Sequence, residues 1–315
     1  MKMSRPVGSF NINFDSLRWA SGKSSLGQRD PSFFSVADRF LNLADKYRFK
    51  YTIFIIGEDL NDSEVRARVR EWAQAGHEIG NHSYHHLPNL GSLPIGRISD
   101  EVQRAHDAIA EVTGIEPRGF ISPAWSTSVQ LNQVLMQKKY LYDTSLFPSP
   151  LMWLVVLKLF ITFRNDPRKW QLLSRKDWLE NMWGYCRPYM VRDKRRDTSS
   201  SGQLLILPLP VSRYGRIPCW HTAAFVFPSK IYEYALKSAL RAPCFYYLMH
   251  PFDLIDVAEV PSGLGHANDA ERIGVPLKEK LRRMEWAMEA IVAASSEIVT
   301  LKTLAERQLV ALGCP

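Results

Sequence analysis

Gly76-His77-Glu78-Ile79-Gly80-Asn81-His82-Ser83-Tyr84-His85-His86 is the stretch on which the reading of this chain turns. His82 and His86 stand four apart, so one helical turn or a tight loop brings both imidazoles to a single point, a spacing suited to one metal ion. A zinc site also needs an oxygen donor and an open position for water. The oxygen donor is expected far upstream, in Phe10-Asn11-Ile12-Asn13-Phe14-Asp15-Ser16, where the chain reads as a strand ending in the carboxylate of Asp15. One Asp and two His with water in the remaining position form a catalytic set, because structural zinc sites are closed and rich in cysteine. The alternative is a pair of histidines in a polar loop, since such motifs have known false positives.

Outward from this stretch the chain alternates between two periods. Ser9 to Asp15 sets apolar Phe10, Ile12 and Phe14 against polar Asn11, Asn13 and Asp15, the pattern of a strand, so Asn13 and Asp15 share a face at its C-terminal end. Asp38 to Phe49 reads as a helix, Tyr51 to Gly57 as a buried strand, and Glu64 to Ala75 as a second helix ended by Gly76. His77 to Gly80 is then a short strand that delivers the histidines. In a barrel of such units the chemistry sits at the C-terminal ends of the strands, where Asp15, Glu58 and His82 all fall. Glu58 is expected as a polar neighbour of the site, with a solvated loop acid as the alternative.

At these residues the chain resembles the polysaccharide deacetylase (NodB-homology) family. His82-Ser83-Tyr84-His85-His86 matches its H-[ST]-x-x-H metal motif, here preceded by the Gly-His-Glu-Ile-Gly-Asn run that is usual there. The resemblance covers residues 8–148 and 203–308. It implies an α/β fold, a distorted parallel (β/α) barrel, with a divalent metal, usually Zn2+, held by Asp15, His82 and His86. It also implies hydrolysis of an amide or ester on a sugar.

Where relatives carry two acidic residues in the first strand, a general base and then a metal ligand, this chain has Asn13 and Asp15. Asn-Phe-Asp-Ser-Leu-Arg resembles the Asp-x-Asp-Thr-Phe-Arg form of formyl-sugar deformylases, so Asp15 is expected as ligand and Asn13 stands where the base is lost; the alternative, an adjacent Asp-Asp reading, makes Asp15 the base and puts Ser16, a poor ligand, in the ligand's place. Ser99 to Thr113 reads as a helix capped by Ser99, and Phe120 to Trp125 as an apolar strand resembling the third family motif. Pro123 is kept there, and the usual Arg is out of register. Backbone N–H groups after Pro123 are expected to help stabilise an oxyanion, and Trp125 to stack on a sugar face or to lie in the core. Val129 to Lys139 reads as a helix. Tyr142-Asp143-Thr144-Ser145 resembles the fourth motif, with Asp143 as its acid. Phe245 to Pro251 is a strand matching the fifth motif. There the resemblance makes His250 the general acid, consistent with a group that titrates near working pH. His221 is placed at the rim of the site or on the surface. Leu277 to Ser295 reads as a long helix, with a last strand and helix after it.

The chain has 315 residues and a net charge of +8, a length that fits one barrel domain, 1–315, with an insertion at 149–202. Between Leu151 and Ser200 eleven basic residues face five acidic ones, so most of the excess positive charge lies in that insertion. Leu151 to Phe163 is apolar on nearly every side, yet at ~1.5 Å per residue it reaches only about 20 Å, short of the ~30 Å bilayer core. Cations and Trp170, Trp178 and Trp183 follow it. This mix suits peripheral contact of 151–183 with an anionic membrane surface, or equally a buried helix or subunit contact. Nucleic acid is disfavoured, because the cations alternate with an apolar block rather than with isolated stacking aromatics. Asp193 to Gly202 reads as a polar, Ser-rich loop.

Cys186, Cys219, Cys244 and Cys314 show no metal spacing and read as reduced thiols, and the N-terminus has no apolar export signal. A cytoplasmic location is expected, peripheral on the inner face of the membrane if the insertion meets lipid. The combined reading is a metal-dependent hydrolase that removes an N-formyl or N-acetyl group from an amino sugar carried on polyprenyl phosphate or another surface-polysaccharide precursor. A catalytically impaired glycan-binding module, favoured by Asn13, and a hydrolase of non-sugar amides are the alternatives. Oligomeric state is not legible.

Overall fold

The computed structural model describes residues 5–21, 29–162, 168–192, 202–260 and 270–313. Residues 193–201 of the Ser-rich stretch, Phe163, Arg164 and Cys314 lie outside them. Nine strands form one sheet: β1 (Val7–Asn13), β2 (Thr52–Ile55), β3 (Glu78–Asn81), β4 (Gly119–Phe120), β5 (Tyr142–Asp143), β6 (Tyr189–Arg192), β7 (Gln203–Ile206), β8 (Cys244–Met249) and β9 (Glu297–Ile298). Their order is β6-β7-β5-β4-β3-β2-β1-β8, with β9 also on β1. Every neighbouring pair is parallel except β6 with β7. Helices join the parallel strands, as a parallel crossover requires. Among the described residues the path runs from β6 to β8 without a pairing that closes it, and this is the distortion of the expected barrel. β6 falls inside the expected insertion, so the end of that segment is stitched into the sheet.

Apolar alternation explains the first strand. Phe10, Ile12 and Phe14 are buried, and Phe14 packs against Phe33 at 4.6 Å and Trp72 at 5.2 Å between ring centroids. Contacts of this kind are worth ~0.5–1.5 kcal/mol each beyond the area they bury. The helix Ser63–Gln74 starts at Asp62, whose side chain accepts from the N–H groups of Glu64 and Val65, and the turn after it passes through Gly76 at φ 87°. Gly80 lies against the Phe54 ring, where a Cβ would collide, so the small residue lets β3 close onto β2.

Some boundaries differ from expectation. The helix over 99–113 begins four residues earlier, as Ile95–Thr113 with Pro94 at its N-cap, and Ser99 lies inside it. Pro94, with its φ held at −56°, leads the chain into the helix without a side-chain cap. The strand expected over 120–125 is only Gly119–Phe120, after which Pro123–Trp125 forms a 3-10 turn.

Candidate active site

The candidate site residues gather at the C-terminal edge of the sheet. Asp15 follows β1, His82 follows β3 and His250 follows β8. The two motif histidines sit in a tight loop, not a helix. Asn81 builds it: its Oδ1 accepts from the Ser83 N–H at 2.8 Å, while its Nδ2 donates to Val102 O and to the Tyr140 hydroxyl. That turn sends Ser83 to φ 63°, and His86 follows at φ 52°, both in the left-handed region that side chains avoid. Surrounding bonds hold the strain. His82 N donates to Ile55 O, Gly57 N to Ser83 O and Glu58 N to Tyr84 O. Buried Glu101 takes both the backbone N–H and the ring Nδ1 of His85, at 2.9 and 2.6 Å.

Asp15 Oδ1 lies 3.1 Å from His82 Nε2 and 3.2 Å from His86 Nε2. His82 Nδ1 is 2.8 Å from Ile121 O, and a carbonyl can only accept, so Nδ1 carries a proton and Nε2 is left to meet Asp15 or a cation between them. A neutral imidazole's lone pair facing a carboxylate at that distance repels it, so a proton on Nε2 or a cation between the two is what holds them together. The three ligand atoms all lie within 4.8 Å of one another. Ligands at ~2.0–2.1 Å on a tetrahedron stand about 3.3 Å apart, so an N2O divalent site fits these residues. Burial pushes the Asp15 carboxyl up, but His86 and His82 outweigh it and hold the acid well below its usual range.

His250 Nε2 is 4.0 Å from Asp15 Oδ2, which puts the imidazole beside the cluster. Its backbone N–H donates to Asp253, which in turn pairs with Arg272 at 2.7 Å. Asn13 is buried at the end of β1, and its Oδ1 has no hydrogen-bond partner among the described residues. Glu58 is half-buried and pairs with Arg18 at 3.4 Å. Trp125 is 8% exposed and packs on Trp220 at 4.6 Å and Phe147 at 5.0 Å, and Trp220 lies 6.2 Å from His250. It belongs mostly to the core wall, and an open stacking platform is not what its surroundings provide.

Three expectations need correction. His221 is not at a rim. It is fully buried, its Nδ1 2.9 Å from the Tyr247 hydroxyl, and burial lowers its pKa to about 4. The N–H groups of Trp125 and Ser126 after Pro123 are engaged with Ser122 O and Pro123 O, so these two do not face an oxyanion. Asp143 is 1% exposed, its Oδ1 bonded to Ser145, and its Oδ2 has no partner among the described residues. No described bond links it to Asp15, His82, His86 or His250. Burial in this apolar setting pushes its acid up to about 7.

The sequence reading missed a supporting layer. Asp59, buried, accepts from Arg18 Nη2 at 2.6 Å and from Trp19 Nε1 at 3.1 Å, and the Trp19 ring lies 5.8 Å from that of His86. Burial, against the pull of Arg18, brings Asp59 to about 7. Arg18 was visible in the Asn-Phe-Asp-Ser-Leu-Arg run, whereas its acid is 41 positions away and left no local signal.

Residues 30–142 match the family described as polysaccharide deacetylase, a span that includes His82 and His86 and excludes Asp15 and His250. The chain is 30% identical over 102 residues to the uncharacterized protein YlxY of Bacillus subtilis, 32% of this chain and 31% of that protein. It is 30% identical over 108 residues to a peptidoglycan deacetylase of Helicobacter pylori, 34% of this chain and 36% of that protein. A third relative is the peptidoglycan-N-acetylmuramic acid deacetylase PdaA of Bacillus subtilis, 28% identical over 85 residues, 27% of this chain and 31% of that protein. The chain thus spans about a third of the length of the curated relatives it matches.

Among solved structures, a Mycobacterium smegmatis protein assigned to the polysaccharide deacetylases superposes with a TM-score of 0.61 at 16% identity, covering 100% of this chain and 93% of that one. The CE4 family pseudoenzyme BA3943 of Bacillus anthracis superposes with a TM-score of 0.50 at 13% identity, covering 96% and 66%. At these identities the likeness speaks for the fold alone. Residues 30–142, with the histidine motif among them, thus match the polysaccharide deacetylase family, and two of the relatives that share this region are deacetylases.

Proposed function

We propose that the protein is a metal-dependent N-deacylase that removes a formyl or acetyl group from an amino sugar. The observation that carries this reading is the convergence of Asp15 Oδ1 on the Nε2 atoms of His82 and His86, with the His82 tautomer fixed by Ile121 O. Those three residues would hold the ion, with Zn2+ the choice that suits two imidazoles and one carboxylate, and it would polarise the amide carbonyl and acidify bound water. His250, beside the cluster, supplies the proton to the leaving amine as the C–N bond breaks, while water adds to the carbonyl carbon and the acyl group departs as a carboxylate. Asn13 cannot accept a proton, so it supplies no general base for the attacking water. Asp143 is assigned no step. Amine release from N-formyl and N-acetyl amino sugars, with and without a chelator, tests the reading: chelator-sensitive release is expected, and release that survives metal removal contradicts it.

A lipid-linked substrate is the finer part of the proposal, and its support lies in the insertion. Trp153, Leu154, Leu157 and Ile161 are exposed along one stripe of the helix Met152–Thr162, whose Met152 is buried on the opposite side. Trp170, Leu173, Leu179 and Trp183 are exposed on the two short helices that follow, with Lys176, Arg187 and Arg192 exposed nearby. No helix among the described residues is long and apolar enough to cross a membrane. Apolar stripes, indoles and cations together suit a face resting on anionic lipid, at the cytoplasmic surface if the substrate is a polyprenyl-phosphate sugar. A second reading, a glycan-binding module without turnover, is favoured by Asn13 alone, and the same amine-release assay decides between them.

A further inference from the structure

The turn after β4 is a second stretch of left-handed backbone beside the site. Ala124 and Trp125 both hold left-handed backbone, at φ 49° and 54°, although neither is glycine. Such a pair persists only where its surroundings over-determine it. The turn begins two residues after Ile121, whose carbonyl fixes the His82 tautomer, and its Trp125 leans on Trp220 beside His250. The groups that hold it come from the insertion. Arg175 Nη1 donates to Ala124 O at 2.6 Å and Nη2 to Trp125 O at 3.0 Å, so the guanidinium bridges the carbonyls of the two strained residues. Its other edge pairs with Asp177 through Nε at 2.9 Å and Nη2 at 2.8 Å. Asp177 also accepts from Thr127 N at 2.7 Å, and Asn181 Nδ2 reaches Trp125 O at 3.1 Å. The ion pair is almost wholly buried, with side chains 1% and 4% exposed. On the far side the turn rests on Gly91, whose N–H bonds Ser126 Oγ and where a Cβ would meet Thr127 O at 2.6 Å.

We propose that Arg175 and Asp177 are positioning residues: the insertion uses a buried ion pair to clamp the Pro123–Ser126 turn in its strained form and thereby shapes the wall of the active site. This gives the insertion a role inside the fold, separate from any contact it makes outside. The clamp stands on the geometry alone, and its effect on turnover rests on the deacylase reading above.

The test is the double variant Arg175→Met/Asp177→Leu, which removes both charges and leaves no buried ion unpaired, so the fold is spared the penalty of a half-broken pair. Circular dichroism and bound-metal content are expected to match the parent protein. Amide hydrogen exchange over residues 121–128 is expected to rise by about 10-fold or more, because the turn loses its outside bonds. Misplacement of a site wall should lower kcat by about 10-fold or more with KM changed far less. Arg175→Lys, which keeps the charge but cannot fork across two carbonyls and a carboxylate, is expected to fall with the double variant. Exchange as slow as in the parent overturns the clamp, and fast exchange with unchanged kcat overturns the positioning role. A parent protein that releases no amine from any substrate fails the reaction proposed above and leaves the exchange result to judge the clamp.

Discussion

Asn13 is the residue at which this site departs most from its expected chemistry. A carboxylate there could take a proton from attacking water, a contribution of ~10²–10⁴-fold in typical general-base catalysis, and an amide cannot. Asn13→Asp is therefore expected to leave amine release unchanged or to raise it, measured as kcat/KM on the best substrate of the panel. A large loss would show that the amide has its own part in holding substrate. Asp143 offers a second test at this scale. Its folded acid, raised to about 7 by burial, keeps a proton that the unfolded chain, titrating near ~4, has already released. Stability from this group is therefore present at low pH and is lost as pH rises from about 4 to about 7. Buried His77 and His221, both lowered to about 4 by burial, tilt the curve the other way as pH climbs from about 4 to ~6.5, so the total profile is not diagnostic. The difference between Asp143→Asn and the parent is. Urea unfolding at pH 4.5, 6 and 8 (values roughly spanning the window) should show the variant gaining relative stability with each step, and a pH-independent difference would contradict the assignment.

At the scale of elements, what the sequence made legible and what it hid divide along the range of the interaction. Strand alternation in Ser9 to Asp15 and the apolar run after Tyr51 fixed β1 and β2, since period and burial are local properties of a strand. The pairing of His82 with His86 was legible because four-residue spacing is itself the signal, whereas Asp15, 67 positions from His82, was reached through the end of its strand and the family resemblance. Glu101 under His85, Asp59 under Arg18 and Arg175 on the Pro123 turn were not, because each partner lies 16 to 51 positions away. The burial of His221 was hidden for the same reason, as the Tyr247 hydroxyl that meets its Nδ1 lies 26 positions away in β8. The insertion carries its own prediction. Trp153→Ser, Leu157→Ser and Ile161→Ser together remove the exposed stripe of the helix Met152–Thr162 without touching its buried side. The triple variant is expected to lose co-flotation with vesicles rich in anionic lipid while amine release from a water-soluble substrate stays within about 2-fold, since apolar insertion and charge attraction act together at such surfaces. Equal flotation of variant and parent would end the lipid-contact proposal.

At the scale of the molecule, a parallel sheet brings the ends of β1, β3 and β8 together, so that Asp15, His82, His86 and His250 converge there. The sequence gives no hint of where the hydrogen-bonded path stops. That β6 pairs antiparallel at an edge depends on contacts made only once the chain has folded. All of the chemistry proposed for this arrangement depends on one cation shared by Asp15, His82 and His86. The most direct measurement is metal content by elemental analysis of the parent protein and of His82→Ala and His86→Ala, each checked for intact fold by circular dichroism, beside amine release from the same samples. Loss of a ligand typically removes catalytic metal, so about one divalent ion per parent chain, little in either variant, and turnover falling with it are expected. A folded His82→Ala protein that keeps both its metal and its turnover would contradict the account.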